Sequence, residues 1–345
     1  MNKTPQLVVL LIAASAPGYA AVIDHHCDAS LGVFVGNTPG TTPSTHSVPC
    51  NLSVGISASG VIGAIRTEPE GGFSGGIHTT YTPTFNESAS GFSFDLSNRV
   101  VLVTGASSGI GKQLAKSLSA NGAKLVLAAR RAAMLEEVRA EIEAAGGVAT
   151  AVAMDVADEA STIAAFDAAE AAFGPVDSVI ANAGMAVGGS VLGLPIDDFD
   201  KMMAVNVRGV FLTAREGARR MLAAGAVERG HGRIVLISSI LARAIVSGQV
   251  TYSASKAAVV QMGRTMAHDF AGKGINVNVI CPGFIRTDLN DQYLDGPKGQ
   301  EMIRGFVRER LMNIGALDPS VLYLCSDASA EVTGSVFTID DGQSL

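Results

Sequence analysis

Val100-Val101-Leu102-Val103-Thr104-Gly105-Ala106-Ser107-Ser108-Gly109-Ile110-Gly111 is the stretch that decides the fold. Four apolar residues in succession read as a strand buried on both faces, the habit of a parallel sheet. The run breaks at Gly105 and passes through small residues into an amphipathic helix. Gly105 permits a tight turn out of the strand, while Gly109 and Gly111 let backbone approach a pyrophosphate and let the helix pack close to the sheet. A phosphate in that turn would lie at the positive end of the helix, within reach of the Ser107 and Ser108 hydroxyls. A glycine turn of this kind is only moderately specific by itself.

Its surroundings sharpen the reading. From Arg99 onward short apolar runs alternate with helical patterns, with strands expected at Lys124 to Ala128, Ala149 to Met154, Ser178 to Ala181, Arg233 to Ile237, Asn276 to Ile280 and Val336 to Ile339. The longest helices are expected around Ile196 to Ala224 and Ser253 to Gly272. Consecutive right-handed βαβ units give an α/β fold, a doubly wound parallel sheet of Rossmann type. After the second strand, an acidic residue would hold a ribose 2′-hydroxyl and a cation a 2′-phosphate. This chain places Arg130 and Arg131 there, with no Asp or Glu at the strand end. NADP(H) is therefore the preferred cofactor, NAD(H) being possible; the plainer alternative makes these arginines a solvated helix start.

A second stretch, Tyr252-Ser253-Ala254-Ser255-Lys256, falls in a helical run. Residues four apart share a helix face, so Tyr252 and Lys256 project side by side. A cation beside a phenol favours the phenolate and draws the phenol's pKa down from about 10. Such a pair is a proton-transfer device or, more plainly, part of a solvated face.

Composition narrows the classes. The 345 residues are 48% hydrophobic and 17% charged, which suits a globular α/β protein. A net charge of -7 without a basic stripe gives no sign of a nucleic-acid surface. Of four cysteines, Cys27 and Cys50 could pair in an oxidising compartment, Cys281 reads as a small buried apolar residue, and Cys325 lies far downstream of the first two. No spacing suggests a metal site, His25-His26-Cys27 lacking a partner cluster. Residues 1–20 have the outline of a secretory signal: Lys3, an apolar run from Leu7 to Ala14, then Gly18-Tyr19-Ala20. The run is too short to span a bilayer. Residues 21–93 are an irregular, low-complexity extension rich in Gly, Ser and Thr, with short strands expected around Leu52 to Ile65 and no assigned role. The domain proper is read as 94–345.

On these residues, the segment from about Phe94 to Leu345 resembles the short-chain dehydrogenase/reductase family, in the single-domain branch of 3-oxoacyl-carrier-protein reductases and many alcohol and sugar dehydrogenases. Thr104 to Gly111, including Ile110, matches its phosphate loop, Asp155-Val156 the pair that holds the adenine, and Asn182-Ala183-Gly184 the motif steadying the central sheet beside the cofactor. Asn206, Ser239, Tyr252 and Lys256 match its catalytic tetrad, Ser239 standing thirteen positions before Tyr252 as in the family. Pro282-Gly283, Ile285 and Thr287 match the stretch that closes over the nicotinamide.

The resemblance implies hydride transfer between nicotinamide and a small carbonyl or alcohol substrate, with Tyr252 as general acid or base. Lys256 would lower the Tyr252 pKa and bind the nicotinamide ribose. Ser239, with Ser238 a rival, would orient the substrate oxygen, and Asn206 would position a relay water or merely mark a helix bend. It also implies a homodimer or homotetramer and a cytoplasmic enzyme, which the signal-like segment contradicts. Two other readings are a catalytically silent dinucleotide-binding regulator and an exported protein whose extension is the working part. Three departures stand out: Asp340-Asp341-Gly342 where the family more often has Asp-Gly-Gly, a slightly short run from Gly315 to Val321, and the N-terminal hundred residues. Leu241, Ile245 and Val246 are expected to make one wall of the substrate site apolar, opposite a lid over Asp288 to Arg310.

Overall fold

The computed structural model describes residues 94–345 together with the backbone of three earlier strands. The chain divides into two units, Met1–Gly91 and Phe92–Leu345. In the first, β1 (Ala21–His26), β2 (Cys50–Ile56) and β3 (Ile62–Pro69) form an antiparallel sheet in that order. The extension read as irregular thus contains a meander among its described residues. The signal-like segment and Cys27 lie outside the described residues.

The second unit alternates strands and helices. In chain order they are β4 (Val100–Thr104), α1 (Gly109–Ala120), β5 (Lys124–Ala129), α2 (Ala132–Ala144), β6 (Val148–Ala153), α3 (Glu159–Phe173), β7 (Ser178–Ala181), α4 (Ile196–Met203), α5 (Val210–Ala223), α6 (Ala226–Arg229), β8 (Gly232–Ile237), α7 (Val250–Phe270), β9 (Ile275–Pro282), α8 (Asp291–Asp295), α9 (Pro297–Arg304), α10 (Asp318–Cys325) and β10 (Val336–Ile339). The strands form one parallel sheet in the order β10-β9-β8-β7-β4-β5-β6. Winding reverses between β4 and β7, and ligands of doubly wound sheets bind at the carboxyl ends of strands flanking such a reversal.

Strand residues alternate between two cores. Leu102, Val126, Val179, Leu236 and Val279 pack under α3, α5 and α7. Val101, Leu125, Ile180, Val235 and Ile280 pack under α1, α2 and α10. Both faces being covered explains why β4, β7, β8 and β9 are buried along their whole length. Each fully buried large side chain contributes about 1.5–3 kcal/mol of transfer free energy. The helices show matching stripes, as in α2, where Leu135, Val138 and Ile142 are buried.

The helix expected from Ile196 to Ala224 is not uniform. Between α4 and α5, Ala204–Gly209 forms a π turn, with Gly209 pressed so close to Val156 that a β-carbon there would lie 2.7 Å from the valine methyl. At the amino ends of the strands, far along the sheet from the switch-point turn, Asp327 accepts hydrogen bonds from Arg99 at 2.8 Å and from His231 Nδ1 at 2.8 Å. Arg233 is fully buried beside them and donates to Gly232 O at 3.1 Å. Burial, reinforced by Arg233 and Arg99, pushes His231 down to about 4 against the pull of Asp327.

Candidate active site

The turn after β4 has the shape its glycines require. Gly105 takes a φ of +69°. Gly111, in the first turn of α1, is tighter: a β-carbon would lie 2.3 Å from Gly105 O and 2.6 Å from Asn182 Nδ2. No side chain caps α1, so its first amides remain available to an anion. Arg131 donates to Ser107 Oγ at 2.9 Å and to Ser108 Oγ at 2.8 Å, placing a guanidinium on the phosphate turn. Arg130 is exposed and makes no hydrogen bond or ion pair among the described residues.

Thr104, at the end of β4, ties the switch point. Its hydroxyl accepts from the amides of Asn182 and Ala183, each at 3.0 Å, and its carbonyl accepts from Asn182 Nδ2 at 3.0 Å. Asp155 folds its carboxylate onto the amide of Ala157 at 3.0 Å, shaping the turn after β6, and Val156 beside it is buried.

Asn206 lies in the π turn and is completely buried. Its amide accepts from Met185 N at 2.8 Å and donates to Met185 O at 2.9 Å and Ser255 Oγ at 3.1 Å. The side chain therefore clamps the strand extension after β7 to the second turn of α7. Ser255, which sequence reasoning passed over, completes the clamp by donating to Tyr252 O at 2.7 Å. Its signal was a polar residue on the buried face of the Tyr-Lys stretch. Gly184 lies where these parts meet, its absent β-carbon falling 3.4 Å from Asn206 Oδ1 and 3.5 Å from Lys256 Nζ.

Ser239 is the residue after β8 whose hydroxyl reaches the Tyr252 phenol, and it also caps the turn that follows by accepting from Leu241 N at 3.1 Å. Ser238 turns away and donates to Lys256 O at 2.8 Å. Burial holds the Tyr252 phenol above its ordinary range, the Ser239 bond opposing it. This departs from the expectation that the ammonium lowers it. Lys256 is buried, donates to Ile237 O at 3.0 Å and lies 5.7 Å from the centre of the tyrosine ring. Burial pulls Lys256 down to about 8, while neighbouring Cys281 works the other way.

Pro282 ends β9, and the segment beyond it crosses back to the phosphate turn. The Thr287 methyl would touch a β-carbon on Gly109 at 3.2 Å, and Thr287 N donates to Asn290 Oδ1 at 2.9 Å. Ile285 is buried and bridges to Met312. The helices α8 and α9 follow, over the stretch expected to form a lid, with Arg286 paired to Asp291 and Asp295. The expected apolar wall divides: Leu241 is buried in the fold, whereas Ile245 is fully exposed. Among the described residues no group of three or more His, Cys, Asp and Glu is placed to hold a metal ion, and no helix is long and apolar enough to cross a membrane.

These residues fit a dinucleotide on structural grounds: a cradle that a β-carbon would fill, an uncapped helix end, and a buried ammonium with one of its three hydrogens spent on Ile237 O. A parallel sheet whose winding reverses at such a cradle defines a dinucleotide-binding α/β protein. The model of the short chain dehydrogenase family matches residues 99–298, and the chain belongs to that family of oxidoreductases.

It is 34% identical over 254 residues to a D-threitol dehydrogenase of Mycolicibacterium smegmatis, covering 74% of this chain and 96% of that protein. Among solved structures it is similar to a short-chain type dehydrogenase/reductase from Mycobacterium marinum, with a TM-score of 0.69 and 34% identity over 73% of this chain and 98% of the other. It is also similar to a gluconate 5-dehydrogenase from Burkholderia cenocepacia in complex with NADP and tartrate. There the TM-score is 0.69 and the identity 31%, over 73% and 97% of the two chains.

Proposed function

We propose that the chain is an NADP(H)-dependent oxidoreductase acting between a carbonyl and a secondary alcohol, with Tyr252 as its proton donor and acceptor. The contact between the Ser239 hydroxyl and the Tyr252 phenol carries this reading, because a substrate oxygen bound between them would meet both groups. The nicotinamide, when bound, supplies or takes up the hydride.

Gly105, Ser107, Ser108, Gly109, Ile110 and Gly111 would receive the pyrophosphate. Arg131, with Arg130 nearby in the chain, would meet a 2′-phosphate, and Asp155 and Val156 the adenine. Asn182, Ala183 and Gly184, and Pro282, Gly283, Ile285 and Thr287 opposite, would flank the nicotinamide half. Lys256 would bind the ribose and pass protons to Tyr252. Because the side chain of Asn206 is committed to Met185 and Ser255, its main-chain carbonyl is the group to position a relay water. A phenol held up by burial stays protonated and so carries the proton that reduction needs, whereas oxidation needs its phenolate, so oxidation should quicken as pH rises. A homodimer or homotetramer working in the cytoplasm completes the proposal. Sequencing the natural N-terminus tests its place; a mature chain starting at Ala21 would sink it.

A panel of ketones, aldehydes, polyols and sugar acids, followed by NADPH absorbance, tests the activity. Tyr252→Phe should abolish turnover while NADPH binding persists. Retained turnover would remove Tyr252 from its role, and binding without turnover across the wild-type panel would make the protein a dinucleotide-dependent regulator.

A further inference from the structure

Two residues before Leu345, Gln343 is buried although Ser344 and Leu345 beside it are exposed. Its amide behaves as a peptide group borrowed by another segment. Oε1 accepts from Phe284 N at 2.5 Å, and Nε2 donates to Phe284 O at 3.4 Å and to Arg310 O at 3.1 Å. Two pieces of main chain that lie apart in sequence, the strand exit after Pro282 and the root of the lid after α9, are thereby held to one side chain. Gly283 makes room for it, since a β-carbon there would fall 2.4 Å from Gln343 Oε1 and 2.9 Å from Asp340 Cα. The same exit is held from its other side by Met312 N donating to Phe284 O at 3.0 Å and by Gly283 N donating to Ile339 O at 2.9 Å. Beyond Phe284 the segment runs to Thr287, whose methyl rests on Gly109 of the phosphate turn.

We infer that Gln343 is a positioning residue: through Phe284 it fixes the Gly283–Thr287 segment at the height that the nicotinamide half of the cofactor requires. The inference rests on the dinucleotide reading given above and adds to it a residue that touches neither cofactor nor substrate. A buried glutamine that merely filled space would be replaced without loss by leucine of similar volume. Leucine would leave Phe284 N and Arg310 O without their side-chain partner, and the segment free to shift. Glutamate keeps the acceptor for Phe284 N and loses both donors.

The test uses the full chain and two probes, NADPH and the fragment ADP-ribose 2′-phosphate, which lacks the nicotinamide. Gln343→Leu should bind NADPH about tenfold more weakly and the fragment within about twofold of wild type. Amide exchange at Phe284 should quicken by about tenfold while β8 keeps its protection. Gln343→Glu should fall between leucine and wild type in both measurements. Equal weakening of both probes would make Gln343 a general structural residue and overturn the inference, as would unchanged binding with unchanged exchange. A wild-type chain that holds neither probe would overturn the dinucleotide reading itself and the inference with it.

Discussion

Arg131 shows how a single side chain can bear on cofactor choice. Its guanidinium donates to two hydroxyls of the phosphate turn, Ser107 and Ser108, so the charge is held at the end of α1 instead of sweeping through solvent. A pre-placed fork loses little freedom when a phosphate arrives, which is the advantage of arginine over lysine at such sites. Arg131→Ala should therefore weaken NADPH by more than about tenfold and NADH by less than about twofold, measured by nicotinamide fluorescence. Equal losses would refute the 2′-phosphate assignment. Sequence reading brought both arginines forward and placed the 2′-phosphate test on Arg130, whereas the backbone turns Arg131 towards the serines.

Among the elements, the strands were the most legible. Val100 to Thr104 and Ser178 to Ala181 are continuous apolar runs because helices cover both faces, and their ends were visible as the points where that run stops. The π turn was not legible. Apolar spacing looks helical on either side of it, and one surplus residue leaves no mark in a pattern with a period of 3.6. Asn206 was found only through a family resemblance, and its physical task, bonding both main-chain groups of Met185 and the Ser255 hydroxyl, depends on contacts remote in sequence. Asn206→Ala would leave all three without that partner inside the fold. It should cost about 3 kcal/mol of stability in urea unfolding. A loss within about 0.5 kcal/mol would mean that the clamp is not holding α7 to the strand. Gln343 was invisible for a similar reason: nothing near it in sequence says that it is buried.

Across the whole second unit, charge is arranged differently at the two ends of the sheet. The carboxyl ends of the strands carry the candidate active site, and the amino ends carry the buried His231 and Arg233 beside a half-buried Arg99 and an exposed Asp327. His231 is held near 4 in the fold against about 6.5 unfolded. Between those values the unfolded chain keeps a proton that the folded one has released, so stability rises with pH from about 4 to 6.5 and is lost as pH falls through that window. Urea midpoints should drop across it, and His231→Gln should flatten the slope. Asp327, whose carboxyl lies below its ordinary range, contributes only at lower pH and so does not mask the effect. An unchanged slope would place the acid sensitivity elsewhere.

The π turn at Ala204–Gly209 also bears on how this chain can vary in length. Removing a residue from a regular helix would rotate everything after it by about 100°. The wide turn already absorbs one extra residue, so the same removal here would restore an uninterrupted α-helix with α5 still in phase with α4. Gly217, whose missing β-carbon would fall 2.7 Å from a Val179 methyl, would then still face the sheet. A single-codon deletion, which would misplace the buried face of a regular helix, would here leave the inner and outer faces of α5 as they are. What the deletion would remove is the widened turn that seats Asn206, so the surplus residue serves the site and not the phase of the helix.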